Sequence, residues 1–166
     1  GIVADPAEIE EPPVQVADVM TSASVTESPD DSLRSAAETM WKQQTGSLLV
    51  MDGDRLVGII TERDVMKAVA RGRDVDATPV SEIMTRDVLT VLPSTSLHEA
   101  ARQMAARWIR HLPVIEGDAV VGVVSQRDLV GIFAALAPDT TGGTALASDA
   151  LVRSQRLARI EYGDLD

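Results

Sequence analysis

A chain of 166 residues is long enough to bury one substantial core without disulfide or metal staples. Its 26 acidic and 15 basic side chains leave a net charge of −11, which sets the surface against nucleic-acid backbones. Cysteine is absent, which excludes disulfide frameworks, thiolate nucleophiles and Cys-based metal centres, and no apolar run approaches the ~20 residues that span a bilayer.

Residues 1–13 are acidic and proline-rich without periodicity, and are expected to be mobile. From residue 14 to 74 a first unit is expected. A short strand falls near Val25, and Pro29 marks a turn. Leu33, Ala36, Ala37 and Met40 then form the stripe of an amphipathic helix. Residues 48–51 and 56–61 flank a Gly53-Asp54 turn and predict a hairpin, followed by a helix over 62–70 that Gly72 stops. Residues 71–79 form a short polar linker. A second unit over 80–138 repeats the plan, with a strand near Leu89, Pro93 at the turn, and a helix carrying Leu97, Ala100, Ala101 and Met104. Ser96 with Glu99 gives that helix a capping-box pattern. A hairpin over 112–115 and 119–125 turns at Gly117-Asp118, and a helix over 126–136 ends before Pro138. Over 139–166 a flexible Gly/Thr stretch precedes a tail helix carrying Leu151, Val152, Leu157 and Ile160.

The two units are copies of each other. At an offset of 64 residues, VADVMT (16–21) falls on VSEIMT (80–85), SLRSAAETM (32–40) on SLHEAARQM (96–104), and VGIITERDV (57–65) on VGVVSQRDL (121–129), with no gap. Two long copies point to duplication and a pseudo-twofold module rather than a solenoid, which needs at least about three repeats. The fold class is α+β, two β-α-β-β-α units with sheets packed against helices.

Each hairpin ends in Gly-apolar-apolar-Thr/Ser-x-x-Asp: Gly58 to Thr61 and Asp64, and Gly122 to Ser125 and Asp128. A hydroxyl at a strand-to-helix junction joins backbone N–H groups in holding phosphate. A carboxylate one helical turn on accepts from a ribose diol, and small apolar residues offer a slot for a flat base. The same spacing is also an ordinary helix start. Its double occurrence in register favours ligand contact.

The DVMT and EIMT openings, T-x-x-P before the helix, S-L-x-x-A-A-x-x-M, H-L-P-V-I and the G-h-h-T/S-x-x-D signature resemble tandem CBS domains. The resemblance implies two intertwined units with two clefts about a pseudo-dyad, binding AMP, ADP, ATP, S-adenosylmethionine or a related adenosyl ligand. It implies ribose contacts from Asp64 and Asp128, and ribose or phosphate contacts from Thr61 and Ser125. Thr45, Gly46 and Ser47, with Ile109, Arg110 and His111, would line the base and phosphate regions. The turns 27–29 and 91–93 would give backbone contacts to the base. It also implies a homodimer. Copy 1 departs from the pattern, with Gly46-Ser47 where copy 2 has the cationic pair Arg110-His111. Unequal clefts are therefore expected, the one reached by that pair favouring more phosphate charge.

Arg63 and Arg127 recur in register and fit either a helix-surface ion pair or a ligand contact; Arg110 and His111 fit either phosphate contact or solvation. His98 reads as a solvated surface residue, Met20 and Met84 as apolar packing. Trp108 could border a cleft, with helix packing the plainer reading. Two histidines without cysteine make no zinc site, and no EF-hand loop occurs. No obligatory cofactor or metal and no catalysis are expected. A regulatory adenosyl-ligand module is expected, passing a conformational change to an unknown protein effector in the cytoplasm, without nucleic acid or membrane partners. The alternatives are an interaction scaffold with vestigial clefts, or a regulatory fragment of a larger enzyme or transporter. A chain that opens on Gly1 suits a fragment, and no secretory signal opens it.

Overall fold

The computed structural model describes residues 13–22 and 25–136. The opening segment up to residue 12 and the tail helix expected within 139–166 lie outside the described residues. Both copies, up to Ile132, belong to one compact unit; a second unit begins at Phe133 and is described only over the helical residues 133–136.

Copy 1 contains β1 (Thr26–Glu27), α1 (Leu33–Gln43), β2 (Ser47–Asp52), β3 (Arg55–Thr61) and α2 (Glu62–Ala70). Copy 2 contains α3 (Leu97–Arg107), β4 (His111–Glu116), β5 (Ala119–Ser125) and α4 (Gln126–Leu136). The expected stripes bury Leu33, Ala36 and Met40 on α1, and Leu97, Ala100 and Met104 on α3. Ser32 and Ser96 cap these helices by accepting from Ser35 N and Glu99 N, each at 3.1 Å. Both end on a left-handed residue, Gln44 (φ 53°) and Trp108 (φ 54°). The capping box expected at Ser96 and Glu99 is only half made. The Glu99 carboxylate is drawn down the helix, accepting from Gln103 Nε2 at 3.0 Å and pairing with Arg102.

Both hairpins turn at a glycine with positive φ, Gly53 and Gly117, as the Gly-Asp pairs predict. Each pair of strands also carries a bulge, at Val50/Met51 and Val114/Ile115. β1 runs parallel to β2 through Thr26↔Leu49 and Glu27↔Val50. The matching strand expected near Leu89 shrinks to a single bridge, Val91↔Val114. Pro113 stands where copy 1 has Leu49, and a proline has no N–H to donate to the lost rung.

The copies are joined by exchange. Thr21 pairs with Val123 on β5, and Thr85 pairs with Ile59 on β3. Leu97 N donates to Val14 O and Leu33 N to Thr78 O, both at 3.0 Å. Each such pairing maps onto the other at the 64-residue offset, the signature of a pseudo-twofold. Val16 therefore packs in one core with Leu97, Met104, Leu112 and Val124, while Val80 and Met84 pack in the other with Leu33, Met40, Leu48 and Ile60. The linker is held along α1: Arg34 N donates to Val75 O, and the Arg34 guanidinium pairs with Asp76.

The exchange explains the glycine of the repeated signature. A Cβ on Gly58 would stand 2.5 Å from Met84 Sδ and 3.0 Å from Thr85 O. A Cβ on Gly122 would stand 2.8 Å from both Met20 Sδ and Thr21 O. The Met-Thr pair of each opening thus passes directly over the other copy's hairpin, and Met20 and Met84 are packing residues as read from the sequence.

One difference is buried. Glu27 on β1 occupies the position of Val91 in copy 2 and is 7% exposed. Ser35 Oγ donates to its Oε2 at 3.3 Å. Burial, with Asp31 nearby, pushes its carboxyl above the ordinary carboxylate value.

Candidate functional site

The Thr/Ser-x-x-Asp segments form the first turns of α2 and α4. In copy 1, Asp64 Oδ2 accepts from both Thr61 N and Thr61 Oγ1 at 2.9 Å, while Asp64 N donates to Thr61 Oγ1 at 3.3 Å. In copy 2, Ser125 N donates to Asp128 Oδ2 at 2.8 Å, and Asp128 N to Ser125 Oγ at 3.2 Å. Both are reciprocal caps, with the carboxylate at the positive end of a helix dipole. Each aspartate is held through Oδ2, and its Oδ1 has no partner among the described residues.

A cleft of about 940 Å³ opens beside the second of these caps. The end of α1 (Met40, Trp41) and the connector Thr45, Gly46 and Ser47 line it from copy 1, together with Glu62 at the start of α2. Copy 2 adds Arg110 and His111 at the start of β4 and Ser125, Arg127 and Asp128 at the start of α4. Thr21 and Ser22 of the crossing segment complete it. The chain crossing is what gathers these pieces: the copy 2 cap faces the copy 1 connector.

Of the residues singled out in the sequence, Thr45, Gly46, Ser47, Arg110, His111, Ser125, Arg127 and Asp128 share this cleft. Thr61, Arg63, Asp64 and Ile109 do not line it, nor do the turns 27–29 and 91–93. Ile109 packs against the copy 2 core instead. Thr45 Oγ1 donates to Ser47 O at 3.1 Å, fixing the connector.

The cationic pair is altered by its surroundings. Arg110 Nη2 donates to Glu62 Oε1 at 3.1 Å, an ion pair between copies. Burial, then the adjacent Arg110 charge, holds the His111 imidazole below the ordinary histidine value. His111 is therefore neutral at pH 7 and supplies a hydrogen-bonding ring, not a second positive charge. Gly46 makes room for it: a Cβ there would lie 3.3 Å from His111 Cε1.

Two cleft residues escape a linear reading. Trp41 sits 78% exposed on α1, beside the buried stripe and four residues after Ala37, which also lines the cleft. Its counterpart at the offset is Ala105. Trp108, which the sequence left open as a cleft border, is the left-handed end of α3 and does not line this cleft. Glu62 occupies an unremarkable position inside the repeated signature, and only its replacement by Gln126 in copy 2 sets it apart. Among the described residues no cluster of three or more His, Asp or Glu side chains could hold a metal ion, and no helix is long and apolar enough to cross a membrane.

A family model for the CBS domain matches residues 16–71 and 80–135. The CBS domain-containing protein YhcV of Bacillus subtilis is 36% identical over 115 residues, covering 69% of this chain and 81% of that one. The solved structure of the CBS-domain containing protein ATU1752 from Agrobacterium tumefaciens superposes with a TM-score of 0.69 at 31% identity, covering 72% of this chain and 98% of that one. The CBS domain pair of protein MJ0100, solved in complex with 5-methylthioadenosine and S-adenosyl-L-methionine, superposes with a TM-score of 0.70 at 30% identity, covering 75% of this chain and 98% of that one.

Proposed function

The chain belongs to the CBS-domain family, and from that premise we propose that it is a regulatory module that binds an adenosyl ligand in the cleft between its two copies. The ligand is an adenine nucleotide (AMP, ADP or ATP), S-adenosylmethionine or a close relative. One observation carries this reading: the cleft joins Ser125 and Asp128 of the repeated signature to the Thr45-Gly46 connector and to Arg110 and His111. Asp128 Oδ1, which has no partner among the described residues, suits a ribose diol, and the start of α4 suits an anionic or polar group. Small side chains at Ala37 and Gly46 leave room for a flat base beside Trp41. The adenosyl ligands of the MJ0100 pair support the ligand class.

Ligand binding across the exchanged copies changes how they pack, and a protein effector reads that change. The module itself performs no catalysis, and its proposed compartment is the cytoplasm, in keeping with a chain free of cysteine. A homodimer is part of the proposal. Met66 on α2 and Val130 on α4 occupy matching positions and are 65% and 61% exposed, which suits an isologous contact.

A thermal-shift screen of adenosine, 5-methylthioadenosine, S-adenosylmethionine, AMP, ADP and ATP tests the reading. One saturated site at about 100 times Kd stabilises the fold by about 2.7 kcal/mol. A flat melting temperature against every compound would favour an interaction scaffold instead.

A further inference from the structure

The charges of the cleft restrict what it accepts. Among the described residues, its acidic and basic side chains besides His111 are two arginines, Arg110 and Arg127, and two carboxylates, Glu62 and Asp128. Arg110 is already engaged, with Nη2 on Glu62 Oε1 at 3.1 Å. His111 adds a ring without charge. The pair is also one-sided. At the 64-residue offset Glu62 becomes Gln126 and Arg110 becomes Gly46, although the backbone bonds around them are the same: Glu62 N to Gly46 O at 3.0 Å and Gln126 N to Arg110 O at 2.8 Å. The helix start therefore does not need a carboxylate at this position.

We propose that Glu62 is a specificity residue that makes this cleft select an adenosyl ligand without phosphate over a nucleoside polyphosphate. This rests on the adenosyl-ligand reading above and names the ligand class for that same site. A polyphosphate that engages Arg110 competes with Glu62 for its guanidinium and lies close to the Glu62 carboxylate. An adenosyl compound without phosphate leaves the pair intact and uses Asp128, the connector backbone and the apolar wall. The chain's net charge of −11 acts in the same direction, lowering the local concentration of polyanions. The side chains of the pair are 49% and 58% exposed, so removing the carboxylate does not endanger the fold.

Calorimetric titration of wild type, Glu62→Gln, Arg110→Gln and the double variant with 5-methylthioadenosine and with ATP tests the proposal. Wild type is expected to bind 5-methylthioadenosine at least about tenfold more tightly than ATP. Glu62→Gln is expected to leave that affinity within about twofold and to strengthen ATP by about tenfold, with a steeper salt dependence. The gain is expected to vanish in the double variant, because it acts through Arg110. An unchanged ATP preference in Glu62→Gln, tighter ATP binding by wild type, or a gain that survives the double substitution overturns the proposal. Loss of 5-methylthioadenosine binding in Glu62→Gln also overturns it, since Glu62 would then hold the ligand itself. If wild type binds neither compound, this proposal fails together with the reading of the cleft as an adenosyl site; the other negative outcomes leave that reading standing.

Discussion

The connector from α1 to β2 and the connector from α3 to β4 start from one backbone and arrive at different chemistry. In both, a left-handed residue closes the helix and the next N–H, from Thr45 or Ile109, returns to a methionine carbonyl at 3.1 Å. In both, the following carbonyl receives the first N–H of the helix after the hairpin. Yet copy 1 places Gly46 and Ser47 there, and copy 2 places Arg110 and His111. Duplication has kept these backbone hydrogen bonds the same at both connectors. It has released the side chains that face the cleft. At these connectors the backbone bonding is shared, while the side chains that line the cleft differ.

Breaking the shared frame should have the largest effect. Gly122→Ala sets a methyl group 2.8 Å from a backbone carbonyl that cannot move without disturbing the Thr21↔Val123 pairing. The expected loss is about 3 kcal/mol, with Gly58→Ala close behind, measured by denaturant melts. Gly131→Ala in α4 is the control: nothing lies within 4 Å of its added methyl group, and the variant should gain about 1 kcal/mol of helix propensity. A harmless Gly122→Ala would refute the close crossing of the opening segments.

Sharpening the functional asymmetry comes next. Asp128→Ala removes a cleft carboxylate and Asp64→Ala one that does not line this cleft. Asp128→Ala should weaken the adenosyl ligand by about 2 kcal/mol in calorimetry, the scale of a charged hydrogen bond. Asp64→Ala should leave that binding event intact. Equal losses would mean that the two caps serve the ligand alike.

The smallest effects are those of pH, and they have opposite signs in the two copies. His111 is held below the ordinary histidine value of 6.5, so the unfolded chain takes up its proton first. Its contribution is complete above about pH 6.5 and is lost as pH falls toward the folded value. Glu27 is held above the ordinary value of 4.5, so the fold prefers its neutral form. Its penalty is absent well below 4.5 and grows as pH rises through the folded value. Thermal melts across this range should show His111→Gln flattening the acid side and Glu27→Gln raising stability at neutral pH. A Glu27→Gln protein no more stable than wild type at pH 7 would contradict the burial argument.

How much of this was legible in the chain depended on range. The helix at 62–70, the start of the helix at 126 and the strand at 119–125 could be bounded from periodicity and breakers alone, because those signals are local. The strand near Leu89 could not be judged without knowing that Pro113 would lie opposite it. Glu99 met its capping pattern in sequence but found Gln103 and Arg102 in space. The cleft residues of the repeated signature were visible as chemistry, yet their grouping was not. An internal repeat reads the same whether each opening segment packs on its own copy or on its twin. Glu62 and Trp41 became meaningful only once the crossing had brought the copy 2 cap to the copy 1 connector.

That crossing also bears on whether one copy can stand alone. A single copy severed at the linker would carry Val16 and Met20 with no core of its own to receive them, and a core lacking the residues equivalent to Val80 and Met84. Two such halves complete each other by reciprocal exchange, so neither copy holds a full core without the other. The link over residues 71–79 makes that pairing a tethered one, with an effective concentration in the ~millimolar range. Tethered halves need not be identical, and positions 46 and 110 differ between them.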